Sequence, residues 1–131
     1  MMLGHGNEYW LFSKPHKNGK YDCFLITDRH VEFLWGKTCI DIWCHANKFA
    51  KRYGLTGLFM GMIISEQQEA VDLNIPAIKE EIDRENVKFA SRFRECIDNC
   101  NLKNIPAQMQ ALDDVKTELT RFNYGNVNYF G

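Results

Sequence analysis

Three observations predict an α+β domain with an N-terminal three-stranded antiparallel meander packed against a helix and a mostly helical C-terminal two-thirds. Residues 8–36 fall into three short apolar stretches divided by turn-forming residues. Residues 38–53 place apolar side chains at three- and four-residue intervals, and the same spacing returns over 78–100 and 109–122. No internal repeat, low-complexity tract or linker divides the chain, so its 131 residues are expected to form one domain, 1–131. Within it, 1–37 would be the meander, 38–122 the helical part, and 123–131 an aromatic, Asn-rich tail.

The first strand is read from "EYWLFSK", Glu8 to Lys14. "PHKNGK" follows, and its Asn18-Gly19 pair is a hairpin-turn signal because both residues accept positive φ. "YDCFLIT", Tyr21 to Thr27, answers with partial alternation. After the polar "DRH", the third strand is expected over "VEFLWG", Val31 to Gly36. A ribbon of this kind needs a helix on its apolar face.

That helix is predicted from Thr38 to Tyr53. Thr38 suits an N-cap, Asp41 suits the first turn, and Cys39, Ile42, Trp43, Ala46, Phe49, Ala50 and Tyr53 form one stripe. Lys51 and Arg52 favour the last turn, and Gly54 the left-handed residue beyond it. Trp35, Trp43 and Phe49 are expected in the core, with Lys48, Lys51 and Arg52 facing water. A second helix is read over Leu55 to Leu73, although interior Gly57 and Gly61 each cost about 1 kcal/mol relative to alanine. Asn74-Ile75-Pro76 punctuates the chain. A long helix then runs to about Cys100, striped by Ile78, Ile82, Phe89, Phe93 and Ile97. Pro106 opens another, striped by Met109, Leu112, Val115, Leu119 and Phe122. The tail "NYGNVNYFG" reads as a final strand or a frayed end.

Composition narrows the class. Hydrophobic content of 45% and charged content of 25% fit a globular chain rather than a disordered one. Aromatics at 13% point to a well-packed core or an aromatic binding face. No apolar run of about 18 residues exists, so no transmembrane helix or membrane partner is expected. The beginning of the sequence lacks the basic and apolar regions of a signal peptide. Five cysteines (Cys23, Cys39, Cys44, Cys96, Cys100) form no disulfide framework, which predicts reduced thiols and a cytoplasmic location.

Charge is uneven. Residues 1–65 hold eight Lys/Arg against five Asp/Glu, net +3, and residues 66–131 hold eight against twelve, net −4. The basic half supplies a nucleic-acid candidate face: Lys37, His45, Lys48, Lys51 and Arg52, with Lys14, Lys17, Lys20 and Arg29 on the meander. A sequence pI near 6.4 weighs against a dedicated nucleic-acid domain, where values above about 9 are usual.

The stretch "KYDCFLITDRHVEFLWGK" resembles the strand pair ending in the signature of WGR domains, modules associated with poly-ADP-ribose polymerases and bacterial relatives. Lys20-Tyr21, Phe24, Ile26, Val31, Trp35 and Gly36 match, and Lys37 stands where the signature has arginine. The resemblance covers residues 20–37 and implies binding of DNA ends, with Trp35 and Lys37 near the nucleic acid.

Other chemistries find less support. Cys39, Cys44, His45, Cys96 and Cys100 lack paired-knuckle spacing, and core thiols account for Cys39 and Cys100, so no metal or other cofactor is expected. His16, Lys17, Lys20, Asp28 and His30 gather at hairpin ends, where polar residues are ordinary, and no nucleophile elbow or phosphate loop accompanies them. No catalytic residues are assigned.

The favoured expectation is a non-enzymatic cytosolic protein-binding module, an inhibitor of immunity-protein or antitoxin type covering a partner such as a basic toxin or nuclease. Its contact face would be acidic: Glu66, Glu69, Asp72, Glu80, Glu81, Asp83 and Glu85. The plain alternative for these residues is the solvated face of a helix.

Overall fold

The computed structural model of the chain describes residues 1–13 and 23–131. The expected Asn18-Gly19 turn, together with Lys14, His16, Lys17, Lys20 and Tyr21, lies outside the described residues. The chain divides into two compact units: unit 1 comprises residues 1–62 and 128–131, unit 2 residues 63–127.

Unit 1 is built on a mixed α/β plan. Its main sheet holds β1 (Met2–Leu3), β4 (Thr38–Ile42), β5 (Thr56–Met60) and β6 (Val127–Phe130), in the spatial order β1-β4-β5-β6. β4 runs parallel to both β1 and β5, with Met2 opposite Asp41 and Ile40 opposite Leu58. Helix α2 (Ala46–Tyr53) makes the crossover from β4 to β5. A separate antiparallel pair joins β2 (Leu11–Phe12) to β3 (Phe24–Ile26).

The three-stranded meander therefore does not form. Its first two strands survive as the β2–β3 pair, while the third stretch is helical: a 3-10 turn at Asp28–His30 leads into α1 (Val31–Leu34). The local cause is a cap. Thr27 Oγ1 accepts from Arg29 N at 3.3 Å, and His30 Nδ1 accepts from Thr27 N at 3.1 Å, so "TDRH" starts a helix. Gly36, at φ +74°, lets the chain leave it.

The helix expected over Thr38–Tyr53 is likewise corrected to strand then helix. Cys39, Asp41 and Trp43 are buried in alternation, the period of a strand, before Ala46, Phe49 and Ala50 bury one face of α2. Lys51 and Arg52 do occupy the last turn, and Gly54, at φ +63°, does end the helix. The glycine-bearing run after it forms β5, a buried strand of nearly continuous apolar residues. Gly57 is obligatory there: at φ +133°, a Cβ would stand 2.0 Å from the Cys39 carbonyl oxygen. The unit's core gathers Leu11, Val31, Cys39, Trp43, Phe49, Leu55 and Phe59. Trp43 and Phe49 are core as expected, whereas Trp35 is 59% exposed and donates from Nε1 to the Tyr53 carbonyl at 2.9 Å.

Unit 2 is helical, as the second half of the sequence suggests. It holds α3 (Gln67–Asp72), α4 (Lys79–Asn99), α5 (Ile105–Leu112) and α6 (Glu118–Gly125). The expected second helix, Leu55 to Leu73, thus resolves into β5 and the short α3. The expected final helix is divided in two by residues 113–117. Helix α4 packs on α5 and α6, and Ile64, Ala70, Ile82 and Leu119 form a buried cluster. Asn123 clasps the backbone of Ile64: its Oδ1 accepts from Ile64 N at 2.8 Å and its Nδ2 donates to Ile64 O at 3.2 Å. Asn86 completes the clasp, donating to the same carbonyl at 2.9 Å and accepting from Asn123 Nδ2 at 3.1 Å.

Candidate functional site

The stretch preceding β2 begins with two residues that leave no freedom. A Cβ on Gly6 would lie 2.3 Å from Trp43 Cδ1, so only glycine lets the chain pass over the indole. The Trp43 Nε1 then donates to the Asn7 carbonyl at 3.1 Å. The Asn7 side chain accepts from the backbone N–H groups of Tyr9 and Trp10, at 2.8 and 3.0 Å. An Asx turn of this type fixes where the next side chains point. It displays Tyr9 and Trp10, which are 42% and 36% exposed.

Cross-strand packing extends this pair into a row. Ring centroids are 5.6 Å apart for Tyr9–Trp10, 4.8 Å for Trp10–Phe24 and 6.0 Å for Phe12–Phe24. Phe24 is 43% exposed. At the Tyr9 end, the Arg52 guanidinium of α2 sits 4.3 Å from the ring centroid, within cation–π range. Lys48, one turn earlier on α2, pairs with Glu8 at 3.5 Å. Hydrogen bonding from the Tyr9 side chain, then the Lys48 ammonium, holds Glu8 below the usual carboxylate range.

His45 caps the start of α2 in the left-handed conformation, φ +65°, at the carboxyl end of β4. In parallel sheets that end is where ligands commonly bind. Burial, then the nearby Lys48 ammonium, lowers the His45 pKa and disfavours the charged ring. Asp41, on β4, is fully buried, with both carboxylate oxygens lacking a partner among the described residues. Burial pushes its pKa up to about 7.

Of the expected basic set, the structure brings His45, Lys48 and Arg52 to the α2 side of the aromatic row. Lys51 is exposed on α2, and Lys37 is exposed with its ammonium bound to the Phe33 carbonyl. Tyr9, Trp10 and Phe24 were missed as site residues; the high aromatic content was the only sequence signal. The WGR-like stretch departs from the geometry its resemblance implies, because Val31–Leu34 is helical and Trp35-Gly36 follows a helix rather than a strand.

The acidic set of unit 2 is divided. Glu66 and Glu69 form a reciprocal cap on α3, with Glu69 Oε2 accepting from Ser65 N at 2.7 Å and Glu66 N at 3.1 Å. Glu80 and Glu81 lie in the first turn of α4, where negative charge suits the helix dipole. Asp83 pairs with Lys79, and Asp72 accepts from Gln68 at 2.8 Å. Glu85 is 2% exposed and pairs through Oε1 with Arg84 and Lys88. Its place on an exposed acidic face is corrected: the buried stripe of α4 runs through Ile82, Glu85 and Phe89.

Among the described residues, no three His, Cys, Asp or Glu side chains meet as a metal-binding group. The five cysteines are free thiols, and burial raises the pKa of Cys39 and Cys96, away from thiolate chemistry. Asp28 and His30 are engaged in the helix start at Thr27. No described helix is long and apolar enough to cross a membrane. Comparison with protein-family models, curated proteins and solved structures finds no match to this chain.

Proposed function

We propose that the chain is a non-enzymatic binding module whose working surface is the aromatic and basic face of unit 1, and whose partner is single-stranded nucleic acid. The observation that carries this reading is the exposed row Tyr9–Trp10–Phe24 with the Arg52 guanidinium over its end. Exposed rings accept unstacked bases on their faces, at about 1–3 kcal/mol per base, while neighbouring cations hold the phosphates. Unit 1 carries eight Lys/Arg against five Asp/Glu, net +3, which complements a polyanion.

Fluorescence anisotropy with a labelled 12-mer of oligo(dT) or oligo(U) tests the proposal. Affinity should fall as salt rises. Trp10→Ala, with folding checked by circular dichroism, should weaken binding at least fivefold. Salt-independent binding, or an unaltered Trp10→Ala affinity, would overturn the assignment.

A second reading, the inhibitor of immunity or antitoxin type, is favoured by a different observation in unit 2. Val71, Leu73 and Ile78 are exposed beside exposed Asp72 and Glu80. Apolar side chains edged by carboxylates suit the basic surface of a partner protein such as a nuclease toxin. A stoichiometric protein captured from nuclease-treated lysate should be lost on Glu80→Lys with Asp83→Lys. Capture that survives both reversals removes this face from consideration. A cytoplasmic setting, with reduced thiols, belongs to both readings.

A further inference from the structure

Unit 2 contains a cleft of about 320 Å³ lined by Gln110, Asp113, Lys116, Arg121, Tyr124 and Gly125. We propose that it is a binding site for a small phosphate monoester, separate from either surface discussed above.

The floor is built rigidly. The Asp113 carboxylate is 4% exposed and accepts from Val115 N at 3.2 Å, Lys116 N at 2.9 Å and Thr120 Oγ1 at 2.9 Å. Those three bonds fix the turn between α5 and α6 and hold Lys116 in the left-handed conformation, φ +58°. Tyr124 is set from behind. Its ring meets Phe89 edge-on at 5.1 Å, and its hydroxyl accepts from Arg92 at 2.9 Å. Arg92 is itself held by Asp114 at 3.0 Å, and hydrogen bonding to Arg92 lowers the Asp114 pKa.

Among the described residues, the lining cations are free of carboxylates. Lys116 and Arg121 are exposed, and among the described residues neither has a carboxylate partner; Lys103 of the same unit is likewise exposed and unpaired but does not line the cleft, whereas Arg84, Lys88 and Arg92 are paired. Two uncommitted cations line one cleft, and the carboxylate of its floor already accepts three internal hydrogen bonds. A phosphate takes the forked guanidinium in two parallel bonds and the ammonium as a point charge. The Gln110 amide offers a donor and an acceptor to the organic part. The volume lies at the small end of ligand sites, which fits a compact ester rather than a dinucleotide.

Gly125 gives an independent handle. It lies in α6 and lines the cleft, and a Cβ there would meet nothing within 4 Å, so a side chain can be introduced at the cleft wall without a clash at its first atom.

Titration of the full chain with glycerol 3-phosphate, inorganic phosphate and glutarate at constant ionic strength tests the site, read by amide nitrogen–proton spectra. Saturable shifts over residues 113–125 with both phosphates, tighter for the ester and absent with glutarate, are expected. Arg121→Ala should weaken the ester at least tenfold, and Gly125→Leu should abolish saturation while leaving the remaining spectrum folded. Equal shifts from glutarate, no saturation with the ester, or an unchanged affinity in Arg121→Ala would each overturn the proposal. Because oligonucleotide binding is assigned to unit 1, Gly125→Leu should leave that affinity unchanged, so the two proposals fail separately.

Discussion

Asp41 in unit 1 and Asn123 in unit 2 are equally shut off from water, at 0% and 2% exposure, but they are treated oppositely. Asn123 makes three hydrogen bonds, two to the backbone of Ile64 and one to Asn86. Among the described residues, Asp41 makes none with either oxygen. A buried polar group with all its partners fixes geometry, whereas one without them is a standing cost. The comparison teaches that unit 1 tolerates an electrostatic burden at the middle of its sheet, while unit 2 uses a polar side chain as a structural staple.

The largest expected effect concerns Asp41. Its folded pKa is about 7, against an ordinary aspartate value of about 3.9 in the unfolded chain. Between these values the folded protein holds a proton that the unfolded chain has released. Stability from this group is therefore complete below about pH 4 and is lost as pH rises through about 7. The difference approaches about 4 kcal/mol at about 1.4 kcal/mol per pH unit. Denaturation at pH 5 and pH 8 should show the wild type losing stability relative to Asp41→Val, with the variant the more stable at pH 8. A constant offset between the two proteins would mean that Asp41 finds a partner in solution.

Asn123→Leu tests the other side. Removing the clasp takes the acceptor from the Ile64 amide and the donor from Asn86 Oδ1, while the Ile64 carbonyl keeps its bond from Asn86, and urea unfolding should report a loss of about 3 kcal/mol. A loss below about 1 kcal/mol would make the two buried groups alike and erase the contrast.

Smaller effects sharpen the distinction at the surface. Arg52→Ala removes the cation over Tyr9 and should reduce oligonucleotide affinity about threefold to tenfold, with a shallower salt dependence, while changing stability by less than about 1 kcal/mol. Lys79→Ala breaks the exposed pair with Asp83 and should cost at most about 0.5 kcal/mol by thermal unfolding. A larger loss there would show that charge on α4 carries more of unit 2 than its buried side chains do.

Much of unit 2 was legible because its helices obey local rules. The stripe over 78–100 became α4 at Lys79–Asn99, and Pro106 does lie in the first turn of α5. Two stripe positions nevertheless face water, with Ile78 63% and Val115 41% exposed. Unit 1 was misread at the residues that break local rules. "TCIDIW" carries helical spacing, and a charged residue at position 41 argues against a buried strand, so its alternation was hidden. Gly57 counts against regular structure in isolation, yet it is what lets β5 approach the Cys39 backbone. For the candidate site, the cations of α2 were visible as charges. The aromatic row was not, because Tyr9, Trp10 and Phe24 become neighbours only through the β2–β3 pairing and the Asn7 turn.

The sequence alone determined the helical second half, the end of α2 at Gly54 and the opposite charge of the two halves. Each depends on residues close in the chain or on simple counting. Tertiary structure alone decided that β4 lies parallel between β1 and β5, that Asp41 and Glu85 are buried, and that Lys116 and Arg121 line one cleft. Those outcomes depend on which distant segments exclude water together, and that free energy is not written in any local pattern.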